Sequence, residues 1–392
     1  LTGVDVLTGC EAVGADFVKK SVTYVDRDGN KREESYDKLI IATGAQSIVP
    51  AIDGVKNEGV FTVRTPDDAQ AIRAYAKKDG VRKAVVAGAG FIGLEIAENL
   101  RRQGLSVTII DMADQIMPNA FDVEMAAWAR KRIEESGTRV LLGAKLEEIK
   151  GENGKAVSVR TDKSEIPADM VILALGVRPS TSFLENTALE MEKGAIVVNQ
   201  NMETNIPDVY AAGDCALVTN RITGGRMYSA MGSTANISAR VLAKNAAGKN
   251  AVYPGALGTG VVRILDNLNA GRTGLTEAAA VKEGFEVVTA IAVTDDKAHY
   301  YEGASSFIMK LIAERKTHRI LGFQVLGSGN VDKVNDIAVV AVSKGMKAEE
   351  FDTMDFSYAP PFSTAISPFT QVCNVLENKI LEFMAGDYDM LL

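Results

Sequence analysis

Residues 83–111 constrain the fold of this chain more than any other stretch. Lys83-Ala84-Val85-Val86-Ala87 is a short apolar run of the kind that forms a buried strand. It runs into Gly88-Ala89-Gly90-Phe91-Ile92-Gly93, a G-x-G-x-x-G pattern, and then into helix-period residues from Gly93 to Gln103. A second strand, Ser106–Asp111, ends on a carboxylate 18 positions past Gly93. Glycines alone would say little. Strand, glycine turn, helix, strand and terminal acid in that order specify a βαβ unit that binds a dinucleotide. Each glycine has its own reason. Gly88 permits the tight turn, Gly90 lets backbone approach a pyrophosphate, and Gly93 lets helix and strand pack closely. The helix then presents unpaired N–H groups and the positive end of its dipole to the phosphates. Asp111 should accept hydrogen bonds from an adenosine ribose. A 2′-phosphate there would meet a carboxylate, and Met112-Ala113 supplies no cation, so NADH is expected over NADPH.

The alternation continues around this unit. Pro66-Asp67-Asp68 opens a helix to about Lys78, since proline and acids suit a first turn. Helix-period residues 122–135, the strand Arg139–Leu142 and the buried run Val171–Gly176 argue for a parallel α/β sheet. Residues 145–170 read as a small meander. Before the unit, Val4–Leu7 is strand-like. Residues 15–42 read as an antiparallel pair turning at Asp26–Asn30, followed by the apolar strand Leu39–Ala42. Val209–Asp214 is another strand ending in glycine and acid, and a helix spans about 230–245. After Tyr253-Pro254 strands dominate, at 259–265, 285–292, 306–312 and 319–325. A helix at 331–344 and a proline-rich loop at 358–361 follow, which reads as a separate α+β domain.

Bulk properties narrow the classes. The chain has 392 residues, enough for two or three domains. Its formal charge of −8 argues against a nucleic-acid surface. No run approaches the roughly 18–20 apolar residues a membrane helix needs. Three scattered cysteines, Cys10, Cys215 and Cys373, make no CxxC pair, so a reducing cytoplasm is expected. With only His299 and His318 present, no metal centre is expected.

Two further segments carry a resemblance. Tyr36–Gly44, ending Ala42-Thr43-Gly44, resembles the "ATG" strand of FAD-dependent pyridine-nucleotide reductases, and Thr204–Asp214 resembles their second FAD motif. They bracket the NAD-type unit, as in a family that inserts its NAD domain into its FAD domain. The resemblance implies that Asp214 hydrogen-bonds the ribityl chain of FAD, that Gly213 lets backbone come close, and that Ala42, Thr43 and Gly44 lie against the adenylate half. Gly176, opening Gly176-Val177-Arg178-Pro179, ends the analogous strand of the NAD domain. Ile92 and Ala235 complete the expected cofactor-binding set. The position of Cys215, next to Asp214, implies a packing residue.

In the C-terminal region, His299-Tyr300-Tyr301, Ile320-Leu321-Gly322, Val331-Asp332-Lys333 and Ser357–Ser363 resemble the dimerisation domain of the coenzyme A-disulfide reductase, NADH oxidase and NADH peroxidase group. There, two tyrosines reach the partner subunit's active site near a redox cysteine. They match Tyr300 and Tyr358, whose hydroxyls could stabilise a leaving thiolate. Glu95 matches a position near the flavin–nicotinamide junction. One departure concerns the substrate: Ser363–Pro368 stands where many relatives have Lys-Asp-Pro. The family's first FAD glycine motif and its redox cysteine do not occur before Thr43, and Cys10 is a poor nucleophile candidate, so the sequence is expected to start part-way into its FAD domain. No fused sulfurtransferase is expected after Leu392.

The expected architecture is therefore α/β: two Rossmann-like dinucleotide-binding domains, the NAD domain inserted in an N-terminally incomplete FAD domain, plus an α+β dimerisation domain. The boundaries read 1–66 and 186–250 for FAD, 67–185 for NAD and 251–392 for dimerisation. The expected activity is hydride transfer from NADH through FAD to a cysteine-linked disulfide or persulfide, coenzyme A-type substrates included, by a cytoplasmic homodimer without membrane or nucleic-acid partners. Alternatives are an NADH oxidase or peroxidase, a reductase of a small electron-transfer protein, or a fragment that only binds nucleotide.

Overall fold

The computed structural model describes residues 3–384. The chain divides into two compact units, Leu1–Gln46 with Val177–Ala256, and Ser47–Gly176 with Leu257–Leu392.

The second unit holds the βαβ motif. Five parallel strands lie in the order Val60–Thr62, Met170–Leu173, Lys83–Ala87, Ser106–Ile110, Arg139–Leu141. Met170–Leu173 is buried along its whole length, as a strand covered on both faces should be. Helices Pro66–Ala76, Phe91–Arg102 and Val123–Glu135 accompany it. The first begins where its sequence says it must. Thr65 and Asp68 form a reciprocal capping box ahead of Pro66, and Thr65 N–H bonding holds the Asp68 carboxyl below its ordinary pKa. Leu146–Glu152, Lys155–Thr161 and Glu165–Pro167 make the antiparallel meander.

The same unit continues into an antiparallel five-stranded sheet, ordered Gly260–Leu265, Leu268–Gly274, Ile320–Gly327, Ser306–Glu314, Val287–Asp295. Helices Val331–Lys344 and Pro368–Met384 pack on it. Its first strands share a core with the parallel-sheet region, where Val262, Ile264 and Leu268 join Leu94, Leu100 and Phe121. A buried ion cluster sits at the same junction. Lys310, on Ser306–Glu314, reaches Glu277 at 2.6 Å and Asp122 at 3.2 Å, with Glu124 also in contact. Burial works against its charge, but the hydrogen bonds to Glu124 and Glu277 prevail and raise its pKa. Loss of Lys310 would leave Asp122 buried without its cation, whereas Glu124 and Glu277 keep contact with solvent.

The first unit contains a meander, Glu11–Asp16, Ser21–Val25 and Lys31–Ser35, and a parallel pair, Leu39–Ile41 beside Val209–Ala211. A four-stranded sheet, Met191–Glu192, Ala195–Val197, Ala216–Thr219 and Arg226–Tyr228, and helix Gly232–Ala246 complete it.

The structure corrects several expectations. Val4–Leu7 is not a strand. Val4, Val6 and Leu7 are exposed, and among the described residues no strand pairs with them. The antiparallel pair is a three-stranded meander starting at Glu11. The glycine-turn helix starts at Phe91, two residues early, because Gly90 is its N-cap. Leu39–Ile41 is only half-buried, with Ile40 turned outward. The strand Leu268–Gly274 and the helix Pro368–Met384 had no counterpart in the sequence reading.

Candidate functional site

The glycine turn has the geometry its sequence requires. Gly88 adopts φ +114°, and a Cβ there would stand 2.2 Å from the Ala174 carbonyl oxygen. A Cβ on Gly93 would stand 1.9 Å from the Gly88 carbonyl oxygen. Both glycines are therefore demanded by the fold itself. Gly90 differs. Its φ is an ordinary −81°, and a Cβ would meet nothing within 4 Å. No side chain caps the helix at Gly90, so its first-turn N–H groups have no side-chain partner at the cap. An uncapped helix start with a bare backbone before it fits a pyrophosphate.

Asp111 does more than the sequence indicated. Its two carboxylate oxygens accept N–H groups of Ala89, at 2.7 Å, and Ala113, at 2.8 Å. The acid thus braces the glycine turn from the neighbouring strand. A carboxylate accepts about four hydrogen bonds, so sites stay free for ribose hydroxyls. Ile92, in the helix's first turn, is 44% exposed beside the turn. Gly176, at φ +99°, ends the adjacent strand region and meets only Ile48.

Glu95 lies on the exposed side of the same helix. Its carboxyl is partly desolvated, which raises its pKa, and a backbone hydrogen bond from Arg263, on Gly260–Leu265, works in the opposite direction. Arg263 is a neighbour that no spacing in the sequence could have indicated.

In the first unit, the two FAD-type segments lie side by side. Val209, Tyr210 and Ala211 pair with Leu39, Ile40 and Ile41, and the Ala212 N–H donates to the Ile41 carbonyl at 3.2 Å. The strand ends Ala42-Thr43-Gly44 and Ala212-Gly213-Asp214 therefore leave the sheet together. Ala42 and Thr43 are exposed, while Gly44 and Gly213 have φ values of +68° and +80°. The nearest atom to a Cβ on Gly213 would be the Ala235 Cβ, at 3.7 Å, in the first turns of Gly232–Ala246. The Asp214 carbonyl is held by the Tyr228 hydroxyl at 2.9 Å, a contact that sequence reasoning missed. Backbone in the left-handed region beside an uncapped helix fits the second half of a dinucleotide cradle.

Cys215 is fully buried, with Sγ 3.4 Å from the Ile41 and Ala212 carbonyls. Burial pushes its thiol pKa up, which suits packing rather than nucleophilic attack. Burial does the same to Cys373 in the C-terminal helix.

Tyr300 and Tyr358 stand on two loops of the C-terminal region, 71% and 50% exposed. His299 packs edge-on against Tyr300 at 5.6 Å. Among the described residues, no helix is long and apolar enough to cross a membrane.

Comparison with known proteins agrees with this layout. Residues 1–239 match the pyridine nucleotide-disulphide oxidoreductase family, and residues 264–368 match the dimerisation domain of the same family. The chain is 37% identical to an NADH oxidase of Methanocaldococcus jannaschii, over 94% of this chain and 81% of that protein. It is 35% identical to an NAD(P)H coenzyme A polysulfide/persulfide reductase of Pyrococcus horikoshii, over 96% and 83%. Among solved structures, an NAD-dependent persulfide reductase from A. fulgidus superposes with a TM-score of 0.91 at 36% identity, covering 96% of this chain and 69% of that one.

Proposed function

This chain belongs to the pyridine nucleotide-disulphide oxidoreductase family, and from that premise we propose that it carries hydride from NADH, through FAD, to a coenzyme A-type disulfide or persulfide. FAD, when bound, supplies the two-electron relay between nicotinamide and a sulfur acceptor. The chain's own residues bind and orient. The uncapped helix start after Gly90 takes the nucleotide pyrophosphate, and Ile92 packs beside it. Asp111 takes the adenosine ribose while bracing the turn, and its negative charge disfavours the 2′-phosphate of NADPH. Gly176 leaves room at the neighbouring strand end. Asp214 holds the flavin's ribityl chain, with Gly213 and Ala235 permitting close approach and Ala42, Thr43 and Gly44 lying along the adenylate half. Glu95 orients the nicotinamide end.

The segments 1–66 and 186–250 serve FAD, 67–185 serves NAD, and 251–392 pairs two copies into a cytoplasmic homodimer.

One observation supports the acceptor most strongly: Tyr300 and Tyr358 are exposed on the dimerisation region, free to project beyond their own subunit. A hydroxyl offered across a dimer seam can donate to a departing thiolate and lower the cost of its charge. The test is anaerobic NADH oxidation by the purified holoenzyme with coenzyme A disulfide, coenzyme A persulfide, dioxygen or peroxide supplied singly. Fastest turnover with a sulfur acceptor is expected. Tyr358→Phe should cut it by about tenfold or more, since lost transition-state donors cost that much. Wild-type turnover in both Tyr358→Phe and Tyr300→Phe would remove the tyrosines from the mechanism. A second reading, with dioxygen as acceptor, is favoured by the NADH oxidase relative, and the same assay separates the two.

A further inference from the structure

We propose that a cavity in the C-terminal region, between the loop carrying Lys297 and the segment after Pro361, binds a phosphate group. It measures about 260 Å³ and shares no residue with the glycine turn at Gly88–Gly93. It lies on the same two loops as Tyr300 and Tyr358, and its test by phosphate binding does not depend on which acceptor the enzyme reduces.

Three independent features converge there. The first is a second strand–glycine turn–helix arrangement. The strand Ile320–Gly327 runs through Ser328, Gly329 and Asn330, which line the cavity, into the helix Val331–Lys344. Asn330 is the N-cap, yet its side chain makes no capping bond, so the positive helix end is not closed by a side chain.

The second feature is a set of hydroxyls without partners. Ser363 and Ser367 line the cavity at 4% and 8% exposure, and neither hydroxyl makes a hydrogen bond among the described residues. The Ser305 Oγ, also in the lining, is sealed from solvent and unpartnered. The Ser305 Oγ is cut off from solvent and the other two hydroxyls open on the cavity, and a ligand that accepts hydrogen bonds would satisfy all three.

The third feature is charge. Lys297 and Lys333 line the cavity, and neither forms an ion pair among the described residues. Asp296 is the single carboxylate in the lining, and its Oδ1 already accepts the Ser305 N–H at 2.8 Å. Its other oxygen closes on Gly329, where a Cβ would stand only 2.4 Å away. Two ammonium groups and three hydroxyls are donors, and the helix start adds the positive end of its dipole, the Val331 and Lys333 N–H groups being already bonded to the Gly329 and Asn330 carbonyls. A cation finds one carboxylate among them, whereas a tetrahedral oxyanion finds a donor on every side. The chemistry is that of free phosphate or of a phosphomonoester at the end of a larger molecule.

Calorimetric titration of the holoenzyme tests this. Saturating NAD⁺ keeps the Gly88–Gly93 turn occupied, and ionic strength is held with chloride. Inorganic phosphate is titrated in one arm and adenosine 3′-phosphate in the other. One saturable site per chain is expected. Lys297→Met with Lys333→Met should weaken it by about tenfold or more, as loss of charge-assisted bonds does. Ser363→Ala, a milder change, should weaken it measurably while leaving the melting temperature of the unliganded protein near wild type. It stands in if the double variant fails to fold. Tighter binding of the nucleotide than of phosphate would assign the site to a larger ligand's end, and equal binding would assign it to the free ion. Absence of a saturable heat in the wild type, or equal affinity in wild type and variants, overturns the proposal.

Discussion

The two candidate dinucleotide sites are built from similar parts in opposite ways. The glycine turn at Gly88–Gly93 is contiguous. Its strand, turn, helix and bracing acid all fall within 83–111, and two of its glycines are fixed by carbonyl oxygens 2.2 and 1.9 Å from where a Cβ would lie. The strand pair at Ala42–Gly44 and Ala212–Asp214 joins segments far apart in sequence, Ile41 pairing with Ala211. Its Gly213 meets nothing closer than 3.7 Å and is set apart only by a φ of +80°. The same residue type thus serves packing in one site and backbone conformation in the other. Substitution by alanine separates these roles, because a Cβ tests space and φ at once.

Gly93→Ala should have the largest effect. Its Cβ would overlap the Gly88 carbonyl, and neither helix nor strand can withdraw without opening the turn. Overpacking of this kind costs roughly 3 kcal/mol, and NADH affinity should fall with it. Chemical denaturation and a nucleotide titration measure both. A variant as stable as wild type would mean that close helix–strand packing is not what this glycine secures.

Gly213→Ala should cost about 1 kcal/mol, the penalty for a side chain in the left-handed region without a clash. Its signature is weaker flavin retention on dilution, with NADH affinity unchanged. Gly90→Ala reverses that pattern. With an ordinary φ and open space, its stability cost should be only about 0.5 kcal/mol, from the poorer N-cap. NADH affinity should nevertheless drop by about tenfold, since the new methyl occupies the place proposed for the pyrophosphate. If Gly90→Ala and Gly93→Ala lose stability equally, the contrast between ligand-facing and fold-facing glycines fails.

The same comparison explains what was legible in the sequence. The glycine turn could be read because every group that shapes it lies within thirty residues and repeats a local rule of turn, dipole and strand. The strand pair could be read only through resemblance, since nothing local ties Ile41 to Ala211. Contacts made by tertiary packing left no signal at all. Lys310 sits mid-strand with no local pattern to single it out, yet it is fully buried and meets carboxylates from two other elements, Glu124 and Glu277. The Tyr228 hydroxyl on the Asp214 carbonyl and the Arg263 backbone beside Glu95 arise in the same way. The helix Pro368–Met384 is not legible from its sequence because the proline-rich segment before it dominates the local pattern. Val4–Leu7 shows the converse. Its composition favours a strand, and a strand needs a neighbour that is not there among the described residues.

The smallest effect on activity is expected at Cys215, whose place beside Asp214 invites the reading of a redox centre. Its thiol spans both strands of the pair, touching the Ile41 carbonyl on one and the Ala212 carbonyl on the other. Desolvation raises its pKa, and hydrogen bonds from Gly44 and Thr43 offset only part of that rise. At neutral pH the group is therefore a thiol shut away from solvent, and a thiol is a poor nucleophile. Cys215→Ala should leave turnover at the wild-type level and lower stability by about 1 kcal/mol, the cost of a small cavity. Iodoacetamide should leave Cys215 unlabelled in the folded enzyme, with or without NADH, and label it after unfolding. Labelling that appears on reduction by NADH, together with lost turnover in Cys215→Ala, would make this cysteine part of the electron path and would turn the strand pair from a cofactor support into a reaction centre.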